Sequence, residues 1–356
     1  MSHAIPPRSA IRRMPAELGL REGRERFLRL DYNENTAGCS HTVRAAIARV
    51  SAAGVAMYPQ FEATRKDLAR FFGVRPAELA LTNGADEALR LVFDAFVERG
   101  DKVLLADPTF TMYRVYAVLF AARVRARRYD PEMRFPLRDV LRELRHAPRV
   151  LFLANPNNPT GTLLSRREIA QVLRAARRTL VVLDEAYFDF SGVTVLPWIR
   201  RYPNLVVIRT FSKASGMAGL RLGCMMANAR LSALLRRAQP PFPVNTLALA
   251  AARAAVRDRA GIRRFVREVA AARAETQTAL TRLGVRWWPS AGNFLLADLG
   301  PRAGRILRAL ERRGILLRDR SRDFGRAGPV RITVGTRPQM RRVIRVLERL
   351  LPWKAG

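Results

Sequence analysis

Cysteine is nearly missing from this chain of 356 residues, Cys39 and Cys224 being its two. Such a pair offers neither a disulfide framework nor the spacing of a metal centre, and it suits a reducing compartment. Lysine is almost as scarce. Lys66, Lys102, Lys213 and Lys354 stand among 64 basic residues, the rest being arginine. Only 30 acidic residues oppose them, for a formal net charge of +34. That excess raises the question of nucleic acid. Aromatic residues are not interleaved with the basic ones, however, the arginines are spread from Arg8 to Arg349, and no nucleic-acid motif is present. No specific nucleic-acid partner is expected; the charge suits loose binding of polyanions at low salt and steering of small anions. No apolar run reaches the 18 residues that would suggest a membrane span. Met1–Pro15 carries arginine without the apolar core of a signal peptide. A cytoplasmic globular protein without a membrane partner is expected.

What is present is apolar sequence, 49% of the chain, enough for about two domains with sizeable cores. Residues 1–45 read as an N-terminal arm packing on the body, with a short strand at Leu28–Tyr32 and a helix from Ser40 to about Ala53. Residues 46–243 read as a large α/β domain. Apolar runs at Leu79–Thr82, Val103–Ala106, Val150–Ala154, Leu180–Leu183 and Leu205–Ile208 alternate with helical patterns. Strands buried on both faces and separated by helices predict a parallel-rich sheet flanked by helices. Residues 244–356 read as a smaller α+β domain, opening on a long helical stretch at 245–283. Strands are predicted at 285–288, 294–297, 315–317 and 330–334, with helices near 301–313 and 337–350. No internal repeat or low-complexity linker is present.

Candidate chemistry gathers at strand ends, where open α/β sheets bind ligands. The run Leu205–Ile208 leads into Arg209-Thr-Phe-Ser-Lys213, followed by a small-residue turn and Arg221. A lysine just past a buried strand needs a partner or a task. Here the hydroxyls of Thr210 and Ser212 and the guanidinium of Arg221 suit a phosphate whose attached carbonyl condenses with the amine, as pyridoxal phosphate does. In Asn83-Gly-Ala-Asp-Glu87 a glycine turn opens a helix, offering free N–H groups to a phosphate. Asn155-Pro-Asn-Asn-Pro-Thr-Gly161 is a loop fixed by two prolines, whose asparagine is able to donate to a phenolate-type oxygen. Asp184, ending an apolar run, calls for a cation such as a protonated pyridine nitrogen, and Tyr187 follows three residues on. Glu185 also reads as a cap of the next segment. Pro108-Thr-Phe-Thr-Met-Tyr113 supplies rings to cover a flat heterocycle or to fill core.

This ordered set resembles the fold-type-I pyridoxal-phosphate aminotransferases of class I/II, and within them the histidinol-phosphate branch. Tyr58-Pro, Ser290-Ala-Gly-Asn-Phe294, Leu317-Arg318 and Val330-Arg-Ile-Thr-Val-Gly-Thr336 extend the likeness over roughly residues 28–340. The resemblance implies that Lys213 is the Schiff-base lysine, that Asp184 holds the pyridinium nitrogen, and that Asn158 and Tyr187 bond the ring oxygen beneath a stacked Phe110. Ala85 and Asp86 (through the helix N-terminus), Thr210, Ser212 and Arg221 would receive the phosphate, joined by Tyr58 of a neighbouring subunit in a homodimer. Arg318, Arg331 and Asn33 would bind substrate. The implied reaction is ping-pong transamination of L-histidinol phosphate with 2-oxoglutarate, giving imidazole-acetol phosphate and glutamate, without a metal. An aromatic amino-acid aminotransferase and a threonine-phosphate decarboxylase share the motif set. Three departures bear on substrate: Phe110 where the branch commonly has tyrosine, no tyrosine before Tyr32, and Asn35-Thr-Ala in place of a proline-containing turn.

Overall fold

The computed structural model describes residues 5–12, 14 and 22–351. Its larger sheet has seven strands in the order Leu79–Asn83, Leu222–Met226, Leu205–Thr210, Leu180–Asp184, Val150–Ala154, Lys102–Asp107 and Arg123–Arg128. Leu222–Met226 runs antiparallel to both of its neighbours, and every other pairing is parallel. The apolar runs explain the interior of this sheet: Val150–Ala154 and Leu180–Asp184 are buried along their whole length. Two clusters, one on each face, fill the space between sheet and helices. One strand has no such run. Arg123-Val-Arg-Ala-Arg-Arg128 closes the sheet at an edge, where its arginines reach solvent and discourage further strand addition.

A second sheet of five strands joins Leu28–Leu30, Ile315–Asp319, Pro329–Thr333, Phe294–Asp298 and Arg286–Trp288 in that order. The pairing of Leu28–Leu30 with Ile315–Leu317 is parallel and the rest are antiparallel. The expected strand at the arm's end is therefore an edge of the smaller sheet. Helices Arg259–Arg282, Ala303–Glu311 and Arg337–Leu350 cover it through a third apolar cluster. Of the arm expected over 1–45, residues 1–4, 13 and 15–21 lie outside the described residues.

Two expected helices are broken. Ser40 does cap a helix, but it ends as His41–Ala48; Ser51 then accepts the Gly54 N–H at 3.1 Å and starts a separate turn, Ala52–Ala56. The long stretch 245–283 divides at Asp258, whose carboxylate accepts the Gly261 N–H at 3.0 Å and caps Arg259–Arg282. An N-cap residue needs non-helical backbone, so one capping aspartate interrupts a pattern whose apolar period continues. The first piece, Thr246–Arg257, packs its buried alanines into the core of the large sheet, beside His41–Ala48 and Glu62–Phe72. Read from the sequence as the start of the smaller domain at 244, this piece packs on the larger sheet.

The antiparallel pair Leu79–Asn83 and Leu222–Met226 comes unusually close to the following turn. A Cβ at Gly223 would lie 2.5 Å from the Gly84 carbonyl carbon, so glycine there lets the helix Gly84–Phe96 begin directly above the strand. That helix N-terminus forms one wall of the candidate site.

Candidate active site

The parallel strands of the large sheet end on one side, and the site residues stand there. Asp184 closes its strand with its side chain buried, 5% exposed. The Tyr113 hydroxyl donates to its Oδ2 at 2.8 Å and the Ala186 N–H to its Oδ1 at 3.0 Å. Burial nevertheless pushes this carboxyl up to about 6, against those two donors. Burial, with Asp184 beside it, also raises Tyr113 well above the ordinary phenol range. A cation next to Asp184 would relieve the cost of its charge.

Lys213 follows the strand Leu205–Thr210, and its Nζ donates to the Tyr32 carbonyl at 3.0 Å while standing 5.7 Å from the centre of the Tyr187 ring. Thr210 donates to Ser212 Oγ at 2.9 Å, so the two hydroxyls are adjacent. Arg221, held in the left-handed region at φ 54°, reaches across to Asp86 at 2.8 Å. Asp86 thus spends its carboxylate on Arg221, and only its backbone N–H, with that of Ala85, is left to meet an anion at the first turn of Gly84–Phe96. Gly84 makes room for this: a Cβ there would lie 2.7 Å from Arg221 Nη2.

Tyr187 and Asn158 are each oriented by a distant residue. Asn33 Nδ2 donates to the Tyr187 hydroxyl at 2.8 Å, so the phenol's own hydrogen remains free to point elsewhere. Arg331 Nη1 donates to Asn158 Oδ1 at 2.5 Å, which leaves the amide nitrogen as the free donor. Asn33 itself is wholly buried at φ 55°, exchanging hydrogen bonds of 3.0 Å with Thr333 and accepting from Asn293 at 3.1 Å. Arg331 is buried too, and it also donates to the Asp31 carbonyl. Its Nε has no partner among the described residues, and burial lowers its pKa to about 10. Arg318 lies opposite it in the antiparallel ladder, 5.5 Å from the centre of the Tyr32 ring. Among the described residues neither arginine forms an ion pair.

The structure therefore brings together Lys213, Asp184, Tyr187, Asn158, Thr210, Ser212, Arg221, Ala85, Asp86, Arg318, Arg331 and Asn33. Phe110, at the start of Thr111–Leu119, meets Tyr113 edge-on at 5.6 Å, within reach of the same strand ends. Tyr58 stands apart, 76% exposed and stacked on the exposed Phe242 at 4.4 Å. Glu185 is not a simple cap. It is buried and takes Arg209 Nη2 at 2.8 Å, Thr194 Oγ1 at 2.8 Å and the Val195 N–H at 3.0 Å, which anchors the next segment to the strand before Lys213.

Sequence reasoning missed Tyr113 as the partner of Asp184, and it missed Asn157, whose amide ties Pro108 and Thr109 to the loop at 2.9 and 2.7 Å. Both lie inside motifs already singled out, but spacing alone does not assign their contacts. Among the described residues no cluster of side chains suits a metal ion, and no helix is long and apolar enough to cross a membrane.

Residues 25–347 match the family model for class I and II aminotransferases. The chain belongs to that family. This aminotransferase is 36% identical over 352 residues to the histidinol-phosphate aminotransferase of Geobacillus thermodenitrificans, covering 97% of this chain and 94% of that one. It is 37% identical to the corresponding protein of Symbiobacterium thermophilum, covering 97% and 98%. Among solved structures, the histidinol-phosphate aminotransferase of Sinorhizobium meliloti, a complex with pyridoxal-5′-phosphate, superposes with a TM-score of 0.86 at 25% identity over 97% of each chain. An L-threonine-O-3-phosphate decarboxylase from Porphyromonas gingivalis superposes at 0.77, with 29% identity over 90% of this chain and 98% of that one.

The residues of this aminotransferase fit the cofactor that the motifs imply. A buried carboxylate without an ion pair among the described residues, a lysine amine held by a single carbonyl, two adjacent hydroxyls and a glycine-opened helix N-terminus with an arginine across it match a protonated pyridine, a carbonyl and a phosphate. Every part of the group has a counterpart in this chain.

Proposed function

We propose that this chain uses pyridoxal 5′-phosphate to move the amino group between L-histidinol phosphate and 2-oxoglutarate, giving imidazole-acetol phosphate and glutamate in histidine biosynthesis. The observation that carries the substrate is Arg331, a buried guanidinium without a carboxylate partner among the described residues, set opposite Arg318 in the ladder. A desolvated cation of this kind calls for an anion, and its planar fork takes phosphate and carboxylate alike. One site then serves a phosphate ester in the first half-reaction and glutamate in the second. The names of the relatives point the same way.

Bound in this site, pyridoxal phosphate supplies a carbonyl for the substrate amine and a protonated ring that accepts the electron pair left at Cα. The chain's residues do the rest. Lys213 would hold the group through its amine and, once displaced by the substrate, would take a proton from Cα as general base and deliver it as general acid to the carbon that had been the carbonyl. Asp184, fixed by Tyr113 and Ala186, keeps a proton on the ring nitrogen. Tyr187 and Asn158, oriented by Asn33 and Arg331, offer their free hydrogens to a ring oxygen. Thr210, Ser212, Arg221 and the N–H groups of Ala85 and Asp86 hold the phosphate. The segment Asp31–Asn35 lies over the amine, with Asn35 Nδ2 donating to the Ala214 carbonyl at 3.0 Å, and so limits access of water to it.

Tyr58 supports a homodimer in this reading. It is too exposed to serve its own site, and with Val55, Met57 and Phe242 it forms apolar surface that a second copy would cover, carrying the hydroxyl to the neighbour's phosphate. We place the enzyme in the cytoplasm.

The test is turnover. L-histidinol phosphate with 2-oxoglutarate is expected to yield glutamate without release of CO2; CO2 from threonine phosphate, with the ester inert, would replace transamination by decarboxylation. Arg331→Ala is expected to raise KM for both the ester and glutamate by roughly 100-fold, the loss of a charge-assisted fork. Impairment of one substrate alone would contradict a shared anion site.

A further inference from the structure

A third arginine stands beside the pair assigned to substrate. Arg320 continues the strand Ile315–Asp319, and its N–H donates to the Pro329 carbonyl at 3.0 Å, extending the ladder in which Arg318 faces Arg331. Side chains alternate along a strand, so Arg318 and Arg320 emerge on one face, the face of Arg331. The Arg320 side chain is 8% exposed. Its ion pair is with Asp323, one turn on, and its Nη2 is buried with no hydrogen-bond partner among the described residues. Burial lowers its pKa, opposed by Asp323 and reinforced by Arg318, and the Tyr187 hydroxyl is close enough to act on it as well. Arg331 in turn feels both Arg318 and Arg320.

The charges do not balance. Among the described residues three guanidinium groups share one carboxylate, Asp323, because Asp31 is taken by Arg24 at 2.6 Å and Asp107, close enough to act on Asp323, by Arg114 at 3.1 Å. Two positive charges are left over in a low-dielectric corner, where excess charge is costly unless a ligand brings its opposite. A single carboxylate offsets one of them. A phosphate monoester at neutral pH, with a charge near −2, offsets both, and its three oxygens are enough to occupy Arg318, Arg331 and the unpartnered Nη2 of Arg320.

We infer that Arg320 is a specificity-determining residue that contacts the substrate's phosphate and favours a phosphate monoester over a carboxylate in the shared anion site. The inference rests on the substrate reading above. Arg320–Asp323 as a merely structural ion pair is the competing account, and two variants separate the two.

Half-reactions with L-histidinol phosphate and with glutamate are measured on cofactor-loaded wild type, Arg320→Gln and Asp323→Asn, each checked by thermal melting. Arg320→Gln is expected to raise KM for the ester at least about tenfold more than KM for glutamate, as loss of one charged contact implies. Asp323→Asn, which removes the competing carboxylate and keeps the arginine, is expected to leave the ester's KM unchanged or lower it. Equal losses for ester and glutamate in Arg320→Gln, or matching ester losses in the two variants, would overturn the assignment. A wild type that transaminates glutamate but not the ester overturns the substrate reading and this inference together. Ester conversion by the wild type with an unchanged KM ratio in Arg320→Gln overturns this inference alone.

Discussion

Lys213→Ala is expected to abolish the visible absorbance of lysine-bound cofactor in protein dialysed against pyridoxal phosphate, and to slow the half-reaction by about 10⁴-fold or more. The magnitude follows from removing a nucleophile and a general acid–base in one substitution. The fold has little stake in this side chain. Its single hydrogen bond, from Nζ to the Tyr32 carbonyl, is worth about 1 kcal/mol, so the melting temperature of the cofactor-free protein should shift only slightly. An unchanged absorbance band would mean that another amine carries the cofactor. The alternatives are few, because Lys66, Lys102 and Lys354 are the only other lysines of the chain.

Asp184→Asn is expected to act in opposite directions on activity and stability. Without the carboxylate the ring nitrogen loses its proton-holding partner, and the half-reaction should fall by about 10²-fold or more, the range typical of losing one group that sets a proton's position. Stability of the cofactor-free protein should rise. Burial lifts this carboxyl from 3.8 to about 6, so the folded state disfavours its charged form. The penalty is absent below the unfolded value, grows as the pH rises through the interval, and is complete above about 6, where it reaches about 3 kcal/mol. Asparagine removes the charge, and the melting temperature at pH 7 to 8 should exceed that of wild type. At pH 4 the gap should close. A variant less stable than wild type at pH 8 would show that Asp184 is already compensated without a cofactor.

The large sheet was legible because parallel strands buried on both faces must be largely apolar, and Val150–Ala154 and Leu180–Leu183 are. Arg123–Arg128 was not, since an edge strand with four arginines carries no apolar run to find. The break at Asp258 was hidden because a cap is one residue, while the helical period on either side continues. In the site, Lys213, Asp184 and Asn158 could be read from their positions at or just after strand ends. Their partners could not. Asn33 meets Tyr187 across 154 residues and Arg331 meets Asn158 across 173, contacts that depend on how the smaller domain and the arm close over the larger one. Arg320 escaped notice for a plainer reason. In a chain with so many arginines, nothing in the sequence separates a buried one from the solvated majority.

The central claim is an amino transfer that begins from a phosphate ester, and a single half-reaction tests it. Protein loaded with pyridoxal phosphate is given L-histidinol phosphate without any keto acid, and the absorbance is followed as the bound carbonyl form becomes the amine form, with unphosphorylated histidinol and phenylalanine run beside it. Rapid conversion by the ester, with the other two slow, is the predicted result. Conversion by phenylalanine with the ester inert would leave the cofactor chemistry standing and contradict the assignment of Arg318 and Arg331 to a phosphate.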